Sequence, residues 1–153
     1  MSALDSLYQQ IILEQSKARH GADLSEAQAH ETHWPEGTGQ CHQLNPVCGD
    51  EITLRLQVED GSVSSLHWKG DGCAISMAAA SILSEMAVGM APDELQSVIE
   101  EFRTVMRSRG KLEADEEVLG DAAALSGVSK FPARVKCAML AWVAAEDALN
   151  QAR

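Results

Sequence analysis

The sequence predicts an α+β fold, a small antiparallel sheet of about three strands covered by helices. Residues 52–58 alternate apolar and polar side chains with period two, and a turn signal and a second strand-like run follow directly. Elsewhere apolar residues recur at helical spacing, so helices outnumber strands. With 153 residues the chain is long enough to bury one core. It is expected to form one domain over 1–153, with an N-terminal helix over 2–19, the sheet over about 40–69 and a helical remainder over 73–150.

In the first helix, Leu4, Leu7, Tyr8, Ile11 and Ile12 form an apolar stripe. The stretch from His20 to Thr38 is polar and irregular, carrying His30, His33 and Trp34-Pro35, and reads as a loop crossing to the sheet. Gln40 to Asn45 adds a weakly patterned strand. The clearest strand sets Ile52, Leu54, Leu56 and Val58 on one face, with Thr53, Arg55 and Gln57 on the other. Asp60-Gly61 supplies hairpin chemistry, and Val63 to Lys69 returns with Leu66 and Trp68 on one side.

After Gly72 the period changes. Ile75, Ala79, Ile82 and Met86 mark a helix that starts close to Cys73 and stops before Gly89. Pro92-Asp93-Glu94 opens the next helix with acidic residues in its first turn. Its buried stripe is Leu95, Val98, Ile99, Phe102, Val105 and Met106, and Arg107 and Arg109 suit its C-terminal end. The acidic stretch Glu113 to Glu117 reads as a solvated face leading into a short helical piece that Ser126-Gly127 ends. The last helix runs from about Ala133 and directs Val135, Met139, Trp142, Val143 and Leu149 inward.

A formal charge of −11 repels phosphate backbones and anionic lipid surfaces, which disfavours nucleic-acid and membrane roles. No basic-then-apolar leader and no apolar run near the ~18 residues of a transmembrane helix is present, so a cytoplasmic protein with free thiols is expected.

Those thiols carry the chemistry. Cys48 lies in Asn45-Pro-Val-Cys-Gly-Asp50, Cys73 in Gly70-Asp-Gly-Cys-Ala-Ile-Ser76, and Cys137 in Phe131-Pro-Ala-Arg-Val-Lys-Cys137. Each sits where a turn meets a strand or helix. Cys48 and Asp50 flank Gly49, which is expected to leave room for close approach, so both side chains can lean to one side. Cys73 follows a glycine at a helix start, where backbone N–H groups favour a thiolate, and Cys137 is expected in or near the first turn of the last helix. Three thiolates and the Asp50 carboxylate complete a tetrahedral set, suited to zinc or iron–sulfur chemistry rather than to magnesium or calcium.

At these motifs the chain resembles the U-type proteins of iron–sulfur cluster assembly, over most of its length from Asn45 onward. Within that superfamily it is more similar to the SufU branch than to the IscU scaffolds. Residues 110–130 lengthen the gap between Cys73 and Cys137 as that branch does, and Lys136 precedes Cys137 where IscU proteins carry histidine. The resemblance implies the SufE/NifU (IscU-like) fold and a zinc-dependent sulfur acceptor. Its zinc ligands would be Cys48, Asp50, Cys73 and Cys137. Cys48 would take persulfide sulfur from a SufS-type, pyridoxal-phosphate cysteine desulfurase and pass it towards downstream Suf scaffold proteins. Arg134 would contact the desulfurase.

Two other functions use the same residues. One is a scaffold that builds a [2Fe–2S] cluster on these cysteines. The other is a binding module whose zinc only holds the fold; it ranks last, because structural sites usually close their shell with Cys or His from short C-x-x-C loops, whereas these ligands are dispersed and one is Asp. Cys41 fits no family motif and reads as an unpaired loop thiol. His42 and His67 read as surface or core histidines, Asp71 as a turn residue beside the site, and Lys136 as a surface charge.

Overall fold

The computed structural model describes residues 3–153. Helix α1, Ala3–Ala18, is followed by α2, Glu26–Ala29, then by strands β1, Thr38–Asn45, β2, Asp50–Glu59, and β3, Ser62–Asp71. Helices α3, Ala74–Ala87, α4, Pro92–Arg107, and α5, Glu116–Leu119, come next. A run of 3₁₀ turns over Gly120–Lys130 then leads to α6, Pro132–Ala152. The expected first residue of the N-terminal helix, Ser2, lies outside the described residues.

The sheet is antiparallel in the order β1-β2-β3. Alternation in β2 does what its period requires: Ile52, Leu54 and Leu56 are buried against the helices. Asp60 and Gly61 both take positive φ, 52° and 81°, the conformation a two-residue hairpin needs to match strand twist. Helix α6 packs on β1 and β2 and on α3, while α1 packs on α3. The ring of Phe102 in α4 stacks on Trp142 in α6 with centroids 4.0 Å apart.

The polar face of the sheet is not bare. Residues 20–31 cover it, contrary to the expectation of a plain connecting loop. Ser25 caps α2 and forms a capping box with Gln28. Backbone oxygens of Gln28 and Ala29 accept from Gln40 Nε2, and the Gln28 oxygen also accepts from Arg55. Gly21 and Leu24 pair with Trp68 on the outer edge of β3, so that part of the edge is satisfied within the chain.

Other expectations need correction. Leu4 and Leu7 are about half exposed at 49% and 52%, and of the predicted stripe Tyr8 and Ile12 are the residues packed against the core. The α1–α3 contact is completed instead by buried Gln15, which accepts from Ser81 Oγ and donates to Glu85. The acidic stretch is not purely solvated, since Glu116 accepts a 2.5 Å hydrogen bond from the Tyr8 hydroxyl. That bond, with burial and the carboxylate charges, pushes the phenol up to about 12. The helical piece also continues past Ser126-Gly127 to Lys130, because Val128 is buried in the core and Ser129 closes a turn onto the Ser126 carbonyl.

Candidate metal centre

The site forms where the β1–β2 loop meets the starts of α3 and α6. In the loop, Asn45 Oδ1 accepts from the Val47 N–H and Asn45 O accepts from the Gly49 N–H, so four residues close the chain and put Cys48 at the tip. Gly49 has φ 74°, and a Cβ built on it would meet nothing within 4 Å. Glycine is therefore needed for its left-handed backbone rather than for room, which corrects the expectation. Asp50, one residue on, begins β2 and is buried at 2% exposure.

Cys73 is the N-cap of α3, as its sequence position predicts, and its backbone N–H is taken by Asp50 Oδ1 at 3.2 Å. Asp50 Oδ2 lies 3.8 Å from Cys73 Sγ. Cys137 is the sixth residue of α6, just past its first turn, and is fully buried. The Phe-Pro start of α6 precedes it by more than a turn, so the free N–H groups of that helix end do not reach it.

Ligand atoms of Cys48, Asp50 and Cys137 all lie within 4.8 Å of one another, and Asp50 ties Cys73 to this trio. Sulfurs bound at ~2.3 Å to one tetrahedral zinc stand roughly 3.8 Å apart. The Cys48 and Cys137 sulfurs are 3.6 Å apart, so their spacing already suits such an ion. Charge gives the same answer. Burial pushes the Cys137 thiol well up, and the neighbouring Asp50, Cys48 and Cys73 add to it. A divalent ion bound among these groups would reverse that shift. The donor set fits zinc.

Arg134, in the first turn of α6, is exposed. Its guanidinium is held above its already high range first by its hydrogen bond with the Cys137 side chain, then by the Cys73 charge. The residue expected to face a partner thus also faces the sulfurs. A groove of about 860 Å³ runs from it between α1 and the 110–131 segment, lined by Tyr8, Ile12, Ile75, Leu112 and Phe131.

The remaining candidates fall outside this cluster. Cys41 is a strand residue, not a loop thiol. It pairs with Leu54 across β1–β2, is 8% exposed, and is pushed up to about 11 chiefly by burial. His42 Nε2 pairs with Glu51 at 3.1 Å and His67 Nδ1 with Asp23 at 2.6 Å. Asp71, at the end of β3, is exposed opposite Glu51, and Lys136 is exposed on α6. Sequence reasoning gave no role to Ser76, which is buried with its Oγ 3.4 Å from Cys73 Sγ. The Cys-x-x-Ser spacing sets a hydroxyl one helical turn after the cap but does not by itself mark a contact with the sulfur.

A sheet end and two helices thus bring the Cys48 and Cys137 thiols and the Asp50 carboxylate together as a group that could hold a metal ion, with Cys73 beside Asp50. The chain belongs to the NifU-like N terminal domain family, whose model matches residues 7–150. It is 37% identical over 144 residues to the zinc-dependent sulfurtransferase SufU of Bacillus subtilis (strain 168), covering 94% of this chain and 89% of that protein. It is 44% identical over 107 residues to the iron–sulfur cluster assembly scaffold protein IscU of Thermotoga maritima, covering 70% and 73%. A crystal structure of a candidate iron–sulfur cluster assembly scaffold protein for the SUF system from Fervidobacterium islandicum superposes with a TM-score of 0.76 at 29% identity, over 92% of this chain and 94% of that one. Among the described residues no helix is long and apolar enough to cross a membrane.

Proposed function

We propose that this chain is a zinc-dependent sulfur acceptor and transfer protein for iron–sulfur cluster assembly, taking persulfide sulfur from a SufS-type cysteine desulfurase onto Cys48. One observation carries the choice of acceptor: of the clustered sulfurs, Cys48 is exposed at a loop tip while Cys137 is buried and Cys73 is half-buried. The similarity to the zinc-dependent sulfurtransferase SufU supports the activity.

Cys48, Asp50, Cys73 and Cys137 would hold the zinc, whose charge would keep the thiols ionised near neutral pH. The Cys48 thiolate attacks the outer sulfur of the donor persulfide. A new S–S bond forms at Cys48, the donor S–S bond breaks, and its electron pair leaves on the desulfurase cysteine as a thiolate. The exchange is redox-neutral, so no oxidant or reductant is needed. Asp50 would stay fixed by the Cys73 N–H throughout, and Arg134, exposed beside the sulfurs, would meet an anionic group of the desulfurase.

Metal analysis of freshly purified protein, read beside its visible spectrum, tests this. Colourless protein with one zinc per chain is the expected result. Brown anaerobic protein containing iron and sulfide would instead make the chain a [2Fe–2S] scaffold.

A further inference from the structure

The three thiols of the centre are chemically alike, yet the sulfur-transfer function requires one of them to leave the shell while the others stay. Exposure separates Cys48 from Cys137. It separates Cys48 from Cys73 less well, because Cys73 is only half-buried, at the N-cap of α3.

Around Cys73 the chain builds a cradle. Ser76 is 2% exposed and lies one turn into α3. Its Oγ is 3.4 Å from Cys73 Sγ and 3.1 Å from Cys73 O, so a single hydroxyl proton can be donated to either atom. Asp50 Oδ1 holds the Cys73 N–H from the other side. Gly72 leaves the space that this needs. A Cβ there would stand 2.4 Å from Ser76 Oγ and 2.8 Å from Asp50 Oδ1, so a side chain at 72 would displace the hydroxyl, the carboxylate or both.

An ionised sulfur is a stronger acceptor than a backbone carbonyl, because hydrogen bonds to charged groups are shorter and stronger than neutral ones. The Ser76 hydroxyl, 3.4 Å from Sγ, can donate to that sulfur when it serves as a ligand. A thiolate that accepts such a bond has its lone-pair density drawn towards the donor, and it is fixed in one rotamer. Both effects slow its attack on an electrophile. Among the described residues, the hydrogen-bonding contact of Cys48 Sγ is the Cys137 sulfur, 3.6 Å away.

We propose that Ser76 is a positioning residue that anchors Cys73 in the ligand shell, so that Cys48 is the sulfur set free to react. The inference rests on the sulfur-acceptor reading for its biological meaning, but its chemistry is independent of any partner. Gly72 and Asp50 belong to the same device: the glycine admits the hydroxyl, and the carboxylate fixes the backbone from which the sulfur hangs.

The experiment uses zinc-loaded protein without desulfurase. Iodoacetamide labelling, mapped by mass spectrometry at short times, gives the ratio of modified Cys73 to modified Cys48. In the parent this ratio is expected to be small. Ser76→Ala should raise it several-fold with zinc content and the far-ultraviolet spectrum unchanged, whereas Ser76→Thr, which keeps a hydroxyl, should restore the parent ratio. Cobalt-loaded Ser76→Ala should also show a shifted sulfur-to-metal charge-transfer band, which a purely structural role for Ser76 would not produce. Should the alanine variant fail to fold, Ser76→Thr and its isostere Ser76→Val make the same comparison. A folded, metal-retaining variant lacking the hydroxyl with an unchanged Cys73 share, or a threonine variant that labels like alanine, overturns the proposal. Persulfide transfer is assayed separately on the parent, so a failure of the sulfur-acceptor reading would appear there and leave the labelling ratio to judge Ser76.

Discussion

The two sides of the centre are built differently, and the boundary runs between neighbouring residues of one loop. Cys48 sits at the hairpin tip, held by the Asn45 side chain accepting from the Val47 N–H and the Asn45 carbonyl accepting from the Gly49 N–H, with open space around Gly49. Cys137 lies fully buried in a helix that packs on the sheet and on α3. Asp50, although only two residues from Cys48, is buried and tied to the Cys73 N–H. A loop tip can move at small cost because few packed atoms must follow it, whereas moving Cys137 would disturb the core. On the proposed reading, ligand identity and ligand lability would be set by separate features of the fold: the donor atoms would make the centre, and burial would favour release of the Cys48 sulfur over the Cys137 sulfur.

The comparison is broken most readily at the buried side. Cys137→Ser and Cys73→Ser should each weaken zinc binding on the order of 100-fold or more, read by competition with a chromophoric chelator, and should lower the melting temperature. Cys48→Ser should retain zinc better than either, because its place at the tip can be filled by water. Equal loss in all three variants would mean that the tip and the helices hold the ion alike.

A smaller effect is expected from the loop itself. Gly49→Ala forces a Cβ onto a left-handed backbone and should cost about 1–2 kcal/mol in chemical denaturation, without any steric clash at the site. If Gly49→Ala is neutral, the loop relaxes freely and its geometry does not place Cys48.

Cys41 sharpens the contrast from within the same hairpin. Its folded thiol is raised from 9.0 to about 11, so the folded chain keeps a proton that the unfolded chain releases. The associated stability is present below about pH 9 and is lost as the pH climbs towards 11, by about 2 kcal/mol. Parent protein should therefore lose more stability over that interval than Cys41→Ala, measured by urea titration at each pH. Parallel pH profiles would show that Cys41 ionises as readily as a solvent-exposed thiol.

Much of this was legible in the sequence because the strongest signals are periodic or local. The period-two run from Ile52 to Val58 and the helical stripe from Leu95 to Met106 each have one buried face, and all six residues of that stripe are buried. Strand β1 was faint for a physical reason. Thr38, Gly39, Gln40 and Cys41 are all buried, since α6 packs on this strand and residues 28–29 cover Gln40. Polar side chains satisfied by distant partners, such as Gln40 with the Arg55 guanidinium at 2.7 Å, leave no alternation to read. The misreading of Cys41 as a loop thiol follows from this. Motif spacing pointed to Cys48, Asp50, Cys73 and Cys137, but the position of Cys137 just past the first turn depended on where Pro132 starts its helix. Ser76 stayed invisible because a serine one turn after a helix cap is ordinarily satisfied by the backbone, and only the fold shows a sulfur beside it.

The central claim is that Cys48 accepts the sulfur while the buried side of the centre keeps its hold on the metal. Zinc-loaded protein, mixed with a SufS-type cysteine desulfurase and free cysteine, is digested after trapping and its peptides are mapped by mass spectrometry, with zinc measured in the same sample. One added sulfur on Cys48 and undiminished zinc are expected. Added sulfur on Cys41, Cys73 or Cys137 in place of Cys48, or zinc lost in step with sulfur uptake, would contradict it.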